Sequence, residues 1–335
     1  MAKIIRQGLV TRVQSGFYTV LLDSGQEGTV LTDNGIVVCR LRGRLKKGRV
    51  KGDIAAVGDH VEIMLQPDGS GAVERVLPRK SELVRLAPTP RGVYRQLLVA
   101  NPDQAVLVFA CADPEPHLRM LDRFLVICEK QKLPALIVVN KIDLVRLRDA
   151  RLVFSIYEEI GYPVVFTSAE TGKGVSKLHK LLQGKISALL GPSGVGKTSL
   201  LNAIQPQLGL EVREISQATT KGRHTTVVRQ MFPLEKGGYV ADLPGLRQLA
   251  LWDIEPEELD AYFPEIGPLV ADCQYNDCRH LDDPGCAVHK AVDDGRVSPE
   301  RYESYLRMRF GDKLDEMYAE EEDIGEVFGK EEKNE

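Results

Sequence analysis

Nowhere among the 335 residues does an apolar run approach the ~18 that a membrane-crossing helix requires. The first twenty residues carry Lys3, Arg6 and Arg12 and lack the apolar core of a secretory leader. These two absences lead us to expect a cytoplasmic protein with no membrane partner. Cysteine is scarce, with six in the chain, and a reducing compartment excludes reading them as a disulfide framework. Cys39, Cys111 and Cys128 stand in apolar surroundings and are expected to be buried thiols. Charge of one sign is also missing overall, since the net value is only -4. That balance hides an acidic tail: from Gly311 to Glu335 there are eleven acidic and three basic side chains, so the preceding body is mildly basic. With 43% hydrophobic and 27% charged residues the composition is that of a globular protein, and the length exceeds one core.

The stretch GPSGVGKTS, Gly191 to Ser199, fits G-x-x-x-x-G-K-[ST] and follows the apolar run Ile186 to Leu190, which reads as a buried strand. In that context it is a phosphate cradle. Glycines let the backbone N–H groups of Gly191, Pro192-flanked Ser193, Gly194, Val195 and Gly196 turn toward phosphate oxygens. Lys197 reaches the β and γ oxygens, and the Thr198 hydroxyl is placed for Mg²⁺. The helix opening at Ser199 adds its N-terminal dipole.

Residues 1–78 alternate apolar and polar in period two between turn signals such as Ser15-Gly16, Asn34-Gly35 and Asp68-Gly69, which predicts a small closed barrel of about five strands, the OB type. Within it runs RLRGRLKKGRVK, Arg40 to Lys51, with seven Lys or Arg among twelve residues and no acid. A single-signed, glycine-broken loop on such a barrel points to RNA contact rather than bare solvation.

From about residue 79 to 250 apolar strands alternate with amphipathic helices. Strands are expected at Gln104–Cys111, Ala135–Val139, Pro163–Thr167, Ile186–Leu190, Val227–Phe232 and Tyr239–Asp242. Helices are expected on the Leu118 to Cys128 face, over Leu152–Ile160 and over Val175–Leu182. The pattern predicts an open, mostly parallel sheet with helices on both faces, whose sites lie at the carboxyl ends of strands. NKID follows one strand there. The Asp143 carboxylate can accept from the N1–H and exocyclic amine of guanine, Asn140 buttresses the loop, the Lys141 stem packs along the nucleotide, and Ile142 completes the turn. After the next strand, Ser168 and Ala169 offer backbone N–H groups to the guanine O6. DLPG puts Asp242 toward Mg²⁺ and the Gly245 N–H toward a γ-phosphate. Upstream, KGRHTT (Lys221 to Thr226) is a polar loop in which Thr225 or Thr226 can complete the Mg²⁺ shell.

Further on, CQYNDCRHLDDPGC spaces Cys273, Cys278, His280 and Cys286 as a closed tetrahedral zinc set, structural because no ligand position is left open. His289 is the rival fourth ligand, and His280 is preferred. Ser298 caps and Pro299 opens a final helix, with Tyr302, Tyr305, Leu306 and Phe310 inward and Arg301 and Arg307 outward.

The four nucleotide motifs look like those of GTPases in permuted order, the base readers preceding the phosphate loop and D-x-x-G, so the chain reads as a circularly permuted GTPase. Together with the barrel and the Cys₃His segment, residues 1 to about 310 resemble the bacterial ribosome small subunit-dependent GTPase A (RsgA) family. The resemblance implies a multidomain α/β protein. Its parts are an OB-fold RNA-binding domain at 1–78, a circularly permuted P-loop GTPase domain at 79–250, a zinc-binding helical domain at 251–319 and an acidic tail at 320–335. It also implies hydrolysis of GTP to GDP, stimulated by the small ribosomal subunit, in late maturation of that subunit. The implied partners are its 16S rRNA, one structural Zn²⁺ and Mg²⁺ with GTP, and we expect a monomer. Two departures from the family stand out: Leu243 replaces the threonine usual in D-T-P-G, and the acidic tail after Gly311 is longer than needed. Leu246 occupies the position where GTPases carry a water-orienting glutamine, so the isolated protein is expected to be slow, with His224 in KGRHTT the nearest candidate to orient water or else a loop cap. The rival functions are a P-loop kinase or ATPase, which has no use for a guanine reader, and an RNA-binding assembly factor with a vestigial nucleotide site, against which Lys197, Thr198 and Asp242 weigh.

Overall fold

A computed structural model of the chain describes residues 5–23, 35–46, 53–89, 92–210, 229–243, 254–281 and 283–311. The period-two stretches at the start become five strands, β1 (Ile5–Gln14), β2 (Phe17–Leu22), β3 (Ile36–Leu41), β4 (His60–Leu65) and β5 (Gly71–Val76). β1 pairs with both β2 and β4, and β3 closes the ring through β5. Alternate residues point inward, so that Val10, Val20, Val37, Val61, Ile63 and Val73 fill the barrel. The tight β1–β2 turn works because Ser15 and Gly16 both adopt positive φ, 50° and 78°.

A long antiparallel hairpin follows, β6 (Glu82–Thr89) with β7 (Gly92–Ala100). Sequence reasoning did not anticipate it. The strand ends on Leu97, Leu98, Val99 and Ala100, all buried, and such a continuous apolar run carries no period-two signal. The barrel is fixed to this hairpin at a tight junction. Gly58 has φ +88°, and a Cβ there would lie 2.0 Å from the Ala100 carbonyl oxygen. Alongside, the buried Asp59 carboxylate accepts from Arg79 Nε at 2.7 Å and Nη2 at 2.9 Å.

The alternating segment gives β8 (Gln104–Ala110), α1 (Leu118–Lys130), β9 (Ala135–Asn140), α2 (Leu147–Glu159), β10 (Val164–Phe166), α3 (Val175–Leu182), β11 (Ile186–Leu190), α4 (Lys197–Ile204), β12 (Arg229–Pro233) and β13 (Tyr239–Asp242). α2 starts earlier than the Leu152 expected because its first turn, with Arg148 and Asp149 exposed, lacks the apolar signal. The strand order is β10-β9-β8-β11-β13-β12, parallel except for β12. Val106, Val108, Leu136, Val138, Leu189 and Val240 form one core with Leu178 and Leu182 of α3 and Leu200 and Leu201 of α4. Because β11 sits between β8 and β13, an element late in the chain occupies the centre of the sheet. The outer edge of β12 is taken by barrel strand β1, with Arg12 opposite Gln230 and Val13 opposite Arg229, so among the described residues one sheet of eleven strands runs through both. That pairing satisfies an edge that would otherwise present bare backbone groups.

Two compact units divide the chain, residues 1–117 with 131–250, and residues 118–130 with 251–335. α1 thus belongs to the second unit although it joins β8 to β9. With it are 3₁₀ turns at Pro256–Tyr262 and Gly267–Asp272, and helices α5 (Ala287–Asp293) and α6 (Pro299–Phe310). Their core gathers Val126, Leu259, Phe263, Ile266, Val288, Tyr305 and Leu306. The expectation that Arg301 faces outward is corrected here: its side chain is 1% exposed, bound to Asp122 at 2.6 Å and to Glu265 at 2.6 Å. The guanidinium also lies 4.5 Å from the Phe263 ring centroid. Burial opposes its charge, but the two carboxylates outweigh that and raise its pKa. A helical wheel could not reveal the paired acids, which come from distant segments. No helix among the described residues is long and apolar enough to cross a membrane.

Candidate nucleotide and metal sites

Parallel strands deliver their carboxyl ends to one edge of the sheet, and the predicted loops leave from there. Gly191 follows β11 with φ +141°, and a Cβ on it would stand 2.1 Å from the Val108 carbonyl oxygen of β8. The turn through Pro192, Ser193 and Gly194 (φ 82°) then reaches Gly196, whose φ of 89° starts α4. Val195 is buried and plugs the loop to the core. Lys197 Nζ donates to the carbonyls of Gly191 at 2.8 Å and Pro192 at 2.7 Å, folding the side chain back over the loop. Thr198 and Ser199 are half-buried at the helix start.

Asn140, the last residue of β9, ties three loops together. Its Nδ2 donates to the Val195 carbonyl of the phosphate loop at 2.9 Å. Its Oδ1 accepts from Thr167 Oγ1 at 3.2 Å and from the Ala169 N–H at 3.3 Å. The side chain is buried, 1% exposed, so these bonds are made away from competing water. Gly196 is required opposite it, since a Cβ there would meet Asn140 Nδ2 at 2.5 Å. Beyond Asn140, Lys141 takes φ 63° and its ammonium donates to the Asp113 carbonyl. Ile142 is buried and anchors the turn, its N–H donating to the Thr167 carbonyl at 3.2 Å. Asp143 stands exposed at the edge. The Ser168 N–H is held by the Lys173 carbonyl at 2.9 Å, which leaves Ala169 as the N–H facing this cluster. Cys111, expected to be buried, is half-exposed, with its thiol donating to the Lys141 carbonyl at 3.1 Å. Burial and the Asp143 charge push that thiol's pKa up.

Asp242 closes β13 beside Leu189, one residue before the end of β11, so its backbone adjoins the phosphate loop. Leu243 is buried, 5% exposed. His224, Thr225, Thr226, Gly245 and Leu246 lie outside the described residues, as do Lys47–Lys51 and the acidic tail.

In the second unit the Sγ or ring-nitrogen atoms of Cys273, Cys278, His280 and Cys286 all lie within 4.8 Å of one another. His280 Nδ1 is 3.5 Å from both Cys273 Sγ and Cys286 Sγ. Bonds of ~2.3 Å to sulfur and ~2.0 Å to nitrogen at a tetrahedral ion separate such atoms by about 3.5 Å, so the donor set fits a metal ion. The other ring nitrogen is 3.6 Å from the Asp260 carboxylate, close enough for an electrostatic contact but too far for a hydrogen bond. Tyr302 Oη donates to the His280 carbonyl at 2.5 Å, and φ of 61° at His280 turns the loop inward. Cys286 also caps α5 by accepting from the His289 N–H at 3.3 Å. Without a cation, burial pushes the Cys278 thiol up to about 12. The rival ligand His289 is half-exposed and faces Asp293 at 3.5 Å.

On the barrel, some cations of the basic stretch are paired while remaining open to solvent. Arg42 and Arg44 both bind the buried carboxylate of Glu74 in β5, the latter at 2.7 Å. Arg40 lies 4.4 Å over the Phe17 ring. Sequence reasoning missed Glu74, the Thr167 hydroxyl, Asp113 and Asp260. Thr167 could have been found, as it begins the Thr-Ser-Ala run; the others carry no local signal.

Two family models match the chain, RsgA GTPase over residues 76–252 and the RsgA N-terminal domain over residues 7–73. A small ribosomal subunit biogenesis GTPase RsgA of Gemmatimonas aurantiaca is 44% identical over 304 residues, covering 90% of this chain and 96% of that one. Its counterpart in Thermotoga petrophila is 42% identical, covering 90% and 95%. Among solved structures, YjeQ from Thermotoga maritima matches with a TM-score of 0.72 at 39% identity, covering 92% of this chain and 98% of its own. YloQ, a circularly permuted GTPase, matches with 0.67 at 32% identity, covering 91% and 94%.

Proposed function

The chain belongs to the RsgA GTPase family, and from that premise we propose that it hydrolyses GTP in biogenesis of the small ribosomal subunit, late in maturation and stimulated by the subunit's 16S rRNA. The observation that supports this best is the Asn140 latch, which holds the phosphate loop, the base-reading loop and the Thr167–Ala169 turn as one body. A P-loop kinase or ATPase has no need of that linkage. In this reading Asp143 accepts from guanine, Ala169 with Ser168 flanks O6, Lys141 and Ile142 shape the pocket, and Gly191 to Ser199 enclose the phosphates. Mg²⁺, carried with GTP, would neutralise phosphate charge, and the hard oxygens of Thr198, Asp242 and Thr225 or Thr226 suit it. Gly245 senses the γ-phosphate. His224 orients the attacking water, because Leu246 has no hydrogen-bonding group.

Cys273, Cys278, His280 and Cys286 would hold one Zn²⁺ with a structural role, since all four positions of a tetrahedral ion are taken by protein. The barrel, residues 1–78, supplies RNA contact through Arg40 to Lys51. The GTPase domain spans 79–250 and the zinc domain 251–319. We place the protein in the cytoplasm as a monomer. The deciding experiment is GTP turnover with and without purified small subunits. Slow basal hydrolysis raised strongly by subunits, with ATP ignored, is expected; equal turnover of GTP and ATP without subunit response would overturn the reading. His224→Ala should keep GTP affinity and lose most of the stimulated rate.

A further inference from the structure

Arg229 is the residue at which the chain enters β12, two positions beyond Val227 and three beyond Thr226 of the KGRHTT loop. Its Nη1 donates to the Leu97 carbonyl of β7 at 2.8 Å and to Asp53 Oδ2 at 3.2 Å. Asp53 in turn lies two residues after Lys51, where the basic barrel stretch ends. The other oxygen of the same carboxylate accepts from Tyr94 Oη at 3.0 Å. Both partners of the ion pair are largely covered, at 19% and 26% exposed, so solvent screens the pair less than a surface one. Burial and the Asp53 charge push the Tyr94 hydroxyl up to about 12, so it stays a neutral donor. Arg85 of β6 feels Arg229 as a second cation, which leaves Asp53 the anion bound directly to Arg229 among the described residues.

Three elements therefore meet on one carboxylate: the exit of the basic barrel stretch, the hairpin, and the exit of the loop that holds His224, Thr225 and Thr226. The β1–β12 pairing runs through the same place, with Val13 opposite Arg229. Close by, the barrel backbone packs directly on β7, the Ala100 N–H donating to the Val57 carbonyl at 2.8 Å next to Gly58.

We propose that Asp53 and Arg229 are positioning residues for stimulated GTP hydrolysis, forming the clasp that makes occupancy of the barrel's basic stretch felt at the loop entering β12. This rests on the functional reading above. The clasp touches neither nucleotide nor RNA; it fixes one end of each loop to the other, so a shift at one displaces the other. A coupling element of this kind acts on the stimulated rate and leaves ground-state GTP binding alone.

The test uses the full chain with GTP and purified small subunits, comparing wild type, Asp53→Asn, Arg229→Gln and the double variant. Asp53→Asn is isosteric and removes only the charge, whereas glutamine is shorter than arginine, so Arg229→Gln removes the charge together with the Nη1 contacts to Asp53 and the Leu97 carbonyl. Expected are basal turnover, KM for GTP and subunit affinity within about twofold of wild type, and a loss of about tenfold in subunit-stimulated kcat in each single variant. The double variant should lose no more than either single one, because the two side chains act through one contact. Full stimulation in the single variants, additive losses in the double one, or a parallel fall of basal and stimulated rates would overturn the clasp. A wild-type chain that subunits do not stimulate would instead defeat the functional reading itself, and that outcome appears before any variant is made.

Discussion

At the scale of single residues the nucleotide edge depends on a few atoms with no slack. Gly196 combines φ of 89° with an Asn140 Nδ2 that would stand 2.5 Å from any added Cβ. Gly196→Ala should therefore abolish measurable GTP binding by calorimetry while the barrel keeps its fold, since either strain or a displaced latch follows. Asn140→Ala strips partners from the buried Val195 carbonyl and Ala169 N–H. At ~1–3 kcal/mol for each orphaned group, a stability loss of about 3 kcal/mol is expected in urea unfolding. Asp143, exposed and free of local bonding duties to the latch, is a base reader in our proposal. Asp143→Asn should shift competition binding from guanine toward xanthine nucleotides, because an amide offers a donor where the exocyclic amine needs an acceptor. An unchanged preference for guanine would remove it from the base site.

Between elements, two joints carry most of the load. The barrel meets the hairpin at Gly58, where a Cβ would collide with backbone rather than with a movable side chain. Gly58→Ala should lower the thermal midpoint of the first unit, and a variant as stable as wild type would show that the junction can relax. In the second unit Arg301 binds Asp122 of α1 and Glu265 together, all three almost fully covered. Arg301→Ala would strand two buried carboxylates, a loss of ~3–5 kcal/mol. Replacing all three by apolar residues of similar size should recover much of it, which distinguishes charge burial from simple packing loss. The helix period had set Arg301 facing water, and its partners reverse that because they lie 179 and 36 positions away in sequence.

For the whole molecule, metal and fold of the second unit are one free energy in our reading, since its core includes Cys278 and Cys286 themselves. One zinc per chain is expected by metal analysis of protein prepared without chelator. Cys278→Ser should lose the ion and the cooperative unfolding of this unit, with GTP binding retained. Much of this was legible in the chain: the G-x-x-x-x-G-K-T loop, the NKID turn and the Cys₃His set are short segments whose residues lie close together in sequence, so local sequence carries them. The barrel was legible too, because one face of each strand is buried and the pattern alternates. The β6–β7 hairpin was not, since its last residues are buried on every side. Nor could sequence place α1 with the C-terminal segment, show Glu74 pairing with both Arg42 and Arg44, or join β12 to β1. Residue type and spacing determined which chemistry the chain can perform. Which distant groups meet, and hence how barrel, latch and loops are tied together, depends on side chains brought together across long separations, and only the tertiary structure decided it.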